Sequence, residues 1–453
     1  MLELEHIRKA YFIGIGGIGM SALARYFRFH GREVSGYDKV KTNLTRQLEA
    51  EGIKIHYEEN LDMAPRDVDM VVYTPAILAN HAELQYYRQN GYAVMKRSEV
   101  LGLITAGSFN ICVAGTHGKT TVSTMIAHIL RQTGFGCNAF LGGIAVNYNS
   151  NYWSNERNLC VVEADEYDRS FLKLSPDMAV ITAMDADHLD IYGTLSEMQQ
   201  AFIEFSARVK ENGILFYRLG LARAAELKTK KRLSYGLENV RADVYAANIR
   251  SKNGGYLFDV IMDTGGLANV DLNMGGLHNI ENATVAIAVA RRLGIGDEKI
   301  LQAVADFKGV KRRFEYILRN EKQVFIDDYA HHPEELKALI HGAKTLFGGE
   351  RITIIFQPHL YSRTRDFAEG FAEALDLADE VILLPVYPAR ELPITGVDSG
   401  TILRKMKNVH AGLMSKLELL EWIKKNKTEV LITAGAGDID QLTEPIKKIL
   451  TQK

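Results

Sequence analysis

At 453 residues the chain is too long for one hydrophobic core, so two or three domains are expected. Its net charge of −2, with 47% hydrophobic and 24% charged residues, leaves no basic footprint for nucleic acid or an anionic membrane. The longest apolar runs, such as Val381–Val386, fall far short of a membrane span, and the opening residues lack a basic-then-apolar secretory pattern. A cytoplasmic protein without membrane insertion is expected. Cys112, Cys137 and Cys160 have neither metal nor redox spacing, and the two that lie in apolar strand-like runs read as buried free thiols.

The first unit opens with the apolar run Ala10–Ile13, the turn Gly14-Ile15-Gly16-Gly17-Ile18-Gly19, and a helical stretch from Met20 to about Phe29. A second strand, Glu33–Tyr37, ends at Asp38, and a third, Met70–Tyr73, ends at Thr74. Strand, glycine turn, helix and an acid about twenty residues on resemble a dinucleotide fingerprint. Gly16, Gly17 and Ile18 would then hold a diphosphate, with Asp38 on a sugar hydroxyl or base. The plain alternative is a tight turn that only packs helix on strand. An NAD cofactor fits this unit taken alone.

The second unit carries the most specific stretch of the chain. Asn110–Ala114 is apolar, Gly115-Thr116-His117-Gly118-Lys119-Thr120-Thr121 follows, and Val122–Leu130 reads as a helix. That order suits a phosphate-binding loop, with backbone N–H groups and a helix start turned toward an anion. Lys119 can reach the β- and γ-phosphates of ATP, and the Thr120 hydroxyl suits a phosphate-bound Mg²⁺. As a loop lysine, Lys119 is expected to be exposed and to add little to packing. Ala114 stands where the first glycine of the general pattern usually does.

Two further strands end in acidic tips, Glu163-Ala164-Asp165-Glu166-Tyr167-Asp168 and Asp185-Ala186-Asp187-His188-Leu189-Asp190. Ligands gather at the carboxyl ends of parallel strands, so both tips should converge on the phosphate loop. Glu163 and His188 are the candidate Mg²⁺ ligands. Residues 236–272 alternate in short segments and suggest an antiparallel excursion. Asn279 and Asn282, on one face at the start of an alanine-rich helix, fit either capping or nucleotide binding.

The third unit, from about Lys311, alternates strands with helical runs and should form a mostly parallel sheet. Its strand ends carry Asp327–Pro333, Gln357–Arg365 and Gly435–Asp438. Three polar tips on one sheet point to a ligand-facing edge. The expected fold is therefore α/β in three domains. A Rossmann-like domain spans 1–107, a central P-loop ATPase-like domain 108–311, and a C-terminal Rossmann-like domain 312–453.

The ordered set Gly115–Thr121, Glu163–Glu166, Asp187-His188, His278–Asn282, Arg312–Phe314 and Asp328–Pro333 resembles the Mur ligases, together with Gly14–Ser21 and Gln357-Pro358-His359. The resemblance covers roughly residues 10 to 440 and is nearest the alanine-adding members. It implies joining L-alanine to the lactoyl carboxyl of UDP-N-acetylmuramate through an acyl phosphate, with ATP and Mg²⁺. No obligate protein partner is implied. By family position, Lys119, Glu163 and His188 would be catalytic, with Thr120, Glu163 and His188 on Mg²⁺. Asn279, Asn282, Arg313 and Asp328 would contact ATP, while Tyr329, His331, His359 and Arg363 would face alanine and the new amide. Gly16, Gly17, Ile18, Asp38 and Thr74 would contact the sugar nucleotide. Two departures stand out. Phe202-Ile203-Glu204-Phe205 lies where several relatives carry a CO₂-modified lysine, and Leu360 lies where some carry an arginine.

Overall fold

The computed structural model describes residues 4–452 apart from His188, Thr264 and Arg390, with the backbone alone for Leu189 and Asp190. Three sheets organise the chain. The first is built from β1 (Lys9–Ile13), β2 (Glu33–Tyr37), β3 (Lys54–His56), β4 (Met70–Tyr73) and β5 (Val94–Lys96), in the order β3-β2-β1-β4-β5. Every pairing is parallel. The order reverses at β1, so the crevice beyond the carboxyl ends of β1 and β4 is where this fold takes ligands. The glycine turn and Thr74 both lie there.

The second sheet contains β6 (Phe109–Ala114), β7 (Asn138–Ala145), β8 (Ser150–Trp153), β9 (Leu159–Glu163), β10 (Met178–Ile181), β11 (Ile214–Arg218), β12 (Lys231–Leu237), β13 (Val244–Lys252), β14 (Gly255–Met262) and β15 (Leu267–Leu272). Its order is β15-β14-β13-β12-β11-β10-β6-β9-β7-β8. Here β6 lies between β9 and β10, parallel to both, and its phosphate loop again opens at a reversal of strand order. β6 is buried from Asn110 to Ala114, which is why it reads as a continuous apolar run rather than an alternating one.

One expectation needs correcting. The excursion after residue 236 opens with a parallel pair, since β12 and β13 align Tyr235 with Val244 and Leu237 with Ala246. The connection is far shorter than parallel strands usually need. Glu238 makes it possible with a φ of 48°, and the Asp243 carboxylate accepts from both Ser234 N (2.7 Å) and Ser234 Oγ (2.6 Å). Further on, Asn253-Gly254 has φ values of 47° and 72°, the double left-handed turn that a tight hairpin requires.

The third sheet contains β16 (Glu315–Arg319), β17 (Val324–Asp328), β18 (Ile352–Phe356), β19 (Glu380–Leu383), β20 (Ala411–Leu413) and β21 (Val430–Ala434). Its order is β16-β17-β21-β18-β19-β20. Only the edge strand β16 is antiparallel among these pairings.

By contact density the chain forms two compact units. One comprises 1–247, 259–270 and 281–305; the other comprises 248–258, 271–280 and 306–453. In the first unit one core runs from Phe12, Met20 and Phe27 through Phe140 and Tyr152 to Phe171 and Phe202. The first two sheets are therefore joined by shared apolar packing. A buried polar contact adds to it: Asn151 Nδ2 donates to Ile18 O at 2.6 Å, and Arg25 donates to Asn151 Oδ1 and pairs with Glu51 at 2.6 Å. The second unit has cores on both faces of its sheet, around Ile354 and Phe371 on one side and Ile355 and Ile446 on the other. All three cysteines are buried and free.

Candidate functional site

The loop after β6 turns sharply because Gly115 takes a φ of 135°. A Cβ there would stand 2.1 Å from Thr182 Oγ1 and 2.7 Å from Ala183 N, so glycine is the one residue that fits. Ala114, by contrast, is an ordinary buried strand residue, and the pattern tolerates it. Thr182 Oγ1 donates to Ala114 O at 3.2 Å and to His117 O, which fixes both sides of the loop. Asp185 N donates to Thr116 Oγ1 at 3.2 Å, bringing the second acidic tip to the loop. Gly118, with a φ of 80°, caps the helix Lys119–Gln132 without any side-chain bond to its first turn. An anion can take those N–H groups.

Lys119 is not the exposed loop residue expected. Its ammonium donates to Gly115 O and to Glu166 Oε1, each at 2.7 Å, and Glu166 has 0% side-chain exposure. Two of its three N–H groups are thus committed to these oxygens. Glu163 Oε1 accepts from Thr120 Oγ1 at 3.1 Å, and its Oε2 accepts from Gly142 N at 2.9 Å. Burial pushes the carboxyl pKa of both Glu163 and Glu166 up, against the opposing charge of Lys119. Asn282 lies beside the loop, its Oδ1 3.1 Å from where a Cβ of Gly118 would be.

A cleft of about 390 Å³ adjoins this floor, lined by Gly17, Ile18, Thr74, Arg97, Gly142 and Glu163 among others. Its far wall is the glycine turn after β1. There Asp38 Oδ2 accepts from Gly16 N at 2.7 Å, so Asp38 holds the turn itself. Thr74 packs under Gly14, whose φ is 87°. The helix Ile18–Phe29 that follows also starts at a glycine, Gly17, with no side-chain cap. One uncapped helix start and the Glu163 carboxylate, which Thr120 Oγ1 reaches from the loop, therefore border the cleft.

In the second unit the loop after β17 is clamped by its own carboxylates. Asp328 accepts from Phe314 N at 2.7 Å and Ala330 N at 2.8 Å, and burial pushes its pKa up to about 6. Arg312 pairs with Asp327 at 3.1 Å and donates to Gly435 O, while Arg313 is exposed. Tyr329 is 39% exposed, and His331 Nδ1 lies 2.9 Å from Tyr329 O. His331 and His359 face one another with ring centroids 6.3 Å apart. Burial pushes both imidazole pKa values down, with the Arg363 charge adding to it. His359 Nδ1, Arg363 Nη1 and Gln357 Oε1 are buried without a hydrogen-bond partner among the described residues. Buried polar atoms without a partner are uncommon, and here three of them belong to one group of neighbouring side chains. Asn279 is buried at the start of helix Leu277–Arg292, its Nδ2 donating to Gly275 O at 2.7 Å.

Three family profiles match the chain: "Mur ligase family, catalytic domain" over residues 9–108, "Mur ligase middle domain" over 113–290, and "Mur ligase, glutamate ligase domain" over 312–439. The chain belongs to the Mur ligase family. It is 47% identical to a UDP-N-acetylmuramate–L-alanine ligase of Flavobacterium psychrophilum, with all of both chains aligned. A protein of the same description from Porphyromonas gingivalis is 47% identical over 98% of this chain and 99% of its own. Among solved structures, the UDP-N-acetylmuramate–alanine ligase of Thermotoga maritima matches with a TM-score of 0.85 and 29% identity, over 99% of this chain and 100% of that one. A murein peptide ligase of Psychrobacter arcticus shares the fold at a TM-score of 0.68 and 22% identity, over 98% and 99%.

Seen as a Mur ligase, the chain shows which expected residues come together. Gly115, Thr116, His117, Gly118, Lys119, Thr120, Thr121, Glu163 and Asn282 surround the phosphate loop, and Gly16, Gly17, Ile18, Asp38 and Thr74 surround the glycine turn across the cleft. Arg313, Asp328, Tyr329, His331, His359 and Arg363 cluster at the strand ends of the other unit. His188 lies outside the described residues. Sequence reasoning missed Arg97 and the role of Glu166. A signal for Glu166 was present, since it is the third acid of the tip Glu163-Ala164-Asp165-Glu166. Arg97 had none, because it follows a short strand, β5, that carries no motif. Leu360 takes a φ of 70° at the start of the helix Tyr361–Asp366, an unusual backbone for a γ-branched residue. Lys210, the first lysine after the missing one, is paired with Asp177 at 2.7 Å.

Asp328 gives a pH prediction. Its folded pKa of about 6 exceeds the unfolded value of about 3.9, so its protonated form stabilises the fold. That contribution is full below about pH 4 and is lost as the pH rises through 6. Relative to Asp328→Asn, wild type should lose about 1.4 kcal/mol of unfolding free energy between pH 5 and 7.5. Urea titrations of both proteins across that range check it; a constant difference would refute it.

Proposed function

We infer that this chain joins L-alanine to the lactoyl carboxyl of UDP-N-acetylmuramate in peptidoglycan precursor synthesis, converting ATP to ADP and phosphate. The observation that carries this reading is full-length similarity, at 45–47% identity, to ligases of that description. The cleft chemistry supports it. A carboxylate is a poor acyl donor because oxide is a poor leaving group, so the γ-phosphoryl group of ATP is transferred to it first. The amine of alanine then attacks the acyl phosphate, and phosphate leaves from the tetrahedral intermediate.

Lys119, held by Gly115 O and Glu166, would offer its remaining N–H to the transferring phosphoryl group. The glycine turn after β1 would hold the diphosphate of the sugar nucleotide, directing the lactoyl end toward Glu163. Thr120 and Glu163 supply hydroxyl and carboxylate oxygens, the donor set that suits Mg²⁺. Thr120 and Glu163 would hold it, joined by His188 on the family reading, and it would supply charge neutralisation for the phosphates.

Asn279, Asn282, Arg313 and Asp328 are proposed to contact the nucleotide, with Asp328 acting through the loop it clamps. The buried partnerless atoms of Arg363, His359 and Gln357 complement alanine, with two donors for its carboxylate and an acceptor for its ammonium. Tyr329 and His331 border the same place. Domains 1–107, 108–311 and 312–453 would serve the sugar nucleotide, ATP and the amino acid. A cytoplasmic location belongs to this reading, and no described helix is long and apolar enough to cross a membrane.

The test is ADP release with UDP-N-acetylmuramate, offered either L-alanine or the tripeptide that recycling ligases add. Turnover with alanine alone is the expected result. Turnover only with the tripeptide would assign the recycling reaction, and reaction with neither would remove ligase chemistry on this sugar nucleotide.

A further inference from the structure

Arg97 opens the helix Arg97–Ala106 and lines the cleft together with Gly17, Gly142 and Glu163. Its guanidinium lies across the first turn of helix Ile18–Phe29. A Cβ on Gly19 would stand 2.9 Å from Arg97 Cδ and 3.0 Å from Nη1, so the arginine can lie there only because residue 19 is glycine. A full positive charge is thereby set beside the first turn of a helix that has no side-chain cap, with 79% of the arginine side chain covered. Two positive features facing the same space repel each other unless an anion joins them.

Among the described residues the carboxylate paired with it is Asp165, whose Oδ2 lies 3.5 Å from Arg97 Nη2. The pair is loose: the separation is beyond an ordinary charge-assisted hydrogen bond, and Asp165 is 40% exposed. Its neighbour Glu166 behaves differently. Fully buried, it could not be rehydrated if Lys119 left, and Lys119 keeps a spare N–H, so that pair can persist with phosphate present. Asp165 can be rehydrated, so its pair can exchange. Burial separates a permanent anchor from a replaceable partner on one strand tip.

We propose that Arg97 binds the diphosphate of the sugar nucleotide and that Asp165 is its exchangeable counter-ion, released when the diphosphate arrives. This rests on the activity inferred above, which supplies the sugar nucleotide. A diphosphate presents several oxygens to the planar fork of an arginine and carries more charge than one carboxylate, which is what lets it displace Asp165. The released carboxylate turns to solvent beside Glu163 and Glu166, so occupancy of the glycine turn changes the charge around the phosphate loop.

Calorimetric titrations of the full chain with UDP, UDP-N-acetylmuramate and a non-hydrolysable ATP analogue test the proposal. Arg97→Ala should weaken UDP and UDP-N-acetylmuramate about tenfold or more while leaving the ATP analogue within about twofold. Asp165→Asn, which frees Arg97 without deleting it, should bind UDP at least as tightly as wild type. Unchanged UDP affinity in Arg97→Ala would overturn the assignment. So would equal weakening of all three ligands, which would mean a damaged cleft. Loss for UDP-N-acetylmuramate but not UDP would move Arg97 to the lactoyl carboxylate, and a weaker UDP affinity in Asp165→Asn would make the ion pair structural. Wild-type protein that bound neither uridine nucleotide would instead remove the activity inferred above.

Discussion

Lys119→Ala is expected to lower kcat by about 10³-fold or more, because it deletes the only side-chain ammonium held at the phosphate loop among the described residues. The structure also changes what else the substitution does. Lys119 is the cation beside the fully buried Glu166, so its loss strips charge compensation from that carboxylate. The variant should therefore be less stable as well as inactive, by about 3 kcal/mol or more unless Glu166 takes up a proton. Lys119→Met combined with Glu166→Gln should regain much of the stability, since neither group is then charged, and no activity. Thermal melting and ADP release measured on both proteins check this. Turnover near wild type in either one would take the loop out of the mechanism.

Glu163→Gln should produce the second-largest effect, a fall in kcat of about 10²-fold with a clear rise in the Mg²⁺ concentration needed for half-maximal rate. The amide keeps the shape and can still accept from Thr120 Oγ1 or Gly142 N, so the fold should survive. What it loses is the anionic oxygen that a hard cation requires. Turnover that falls with an unaltered Mg²⁺ dependence would refute the metal role. Glu163→Asp, which restores the charge on a shorter arm, should fall between wild type and Glu163→Gln.

Much of the fold was legible because the elements that matter carry strong local signals. Fully apolar runs such as Ile111–Ala114 and Met178–Ile181 are buried on both faces, and Gly115 follows the first where the backbone must turn left-handed. Gly115 and Gly118 are required by backbone geometry, so the phosphate loop follows from its residues almost without tertiary help. The parallel pairing of β12 with β13 was not legible. It depends on Asp243 reaching Ser234, a contact nine residues apart with no sequence signature.

The candidate site divides in the same way. The sequence by itself determined which residue types stand at strand ends, and hence that phosphates and a hard cation were the chemistry to expect, while the amino acid entered only through the resemblance to the Mur ligases. It could not say which charges face which. Lys119 read as an exposed loop lysine, yet it lies 2.7 Å from a carboxylate with 0% exposure. Asp38 read as a ligand for a sugar hydroxyl or base, and the fold adds a bond from Gly16 N that the sequence did not show. Arg97 read as nothing, because an arginine after a three-residue strand has no motif. It became a site residue only when folding laid it across Gly19 and within 3.5 Å of Asp165. The physical reason is common to all three. Backbone conformation is set by neighbours in the chain, whereas a charge takes its meaning from burial and from partners tens of residues away, and only the tertiary structure supplies those.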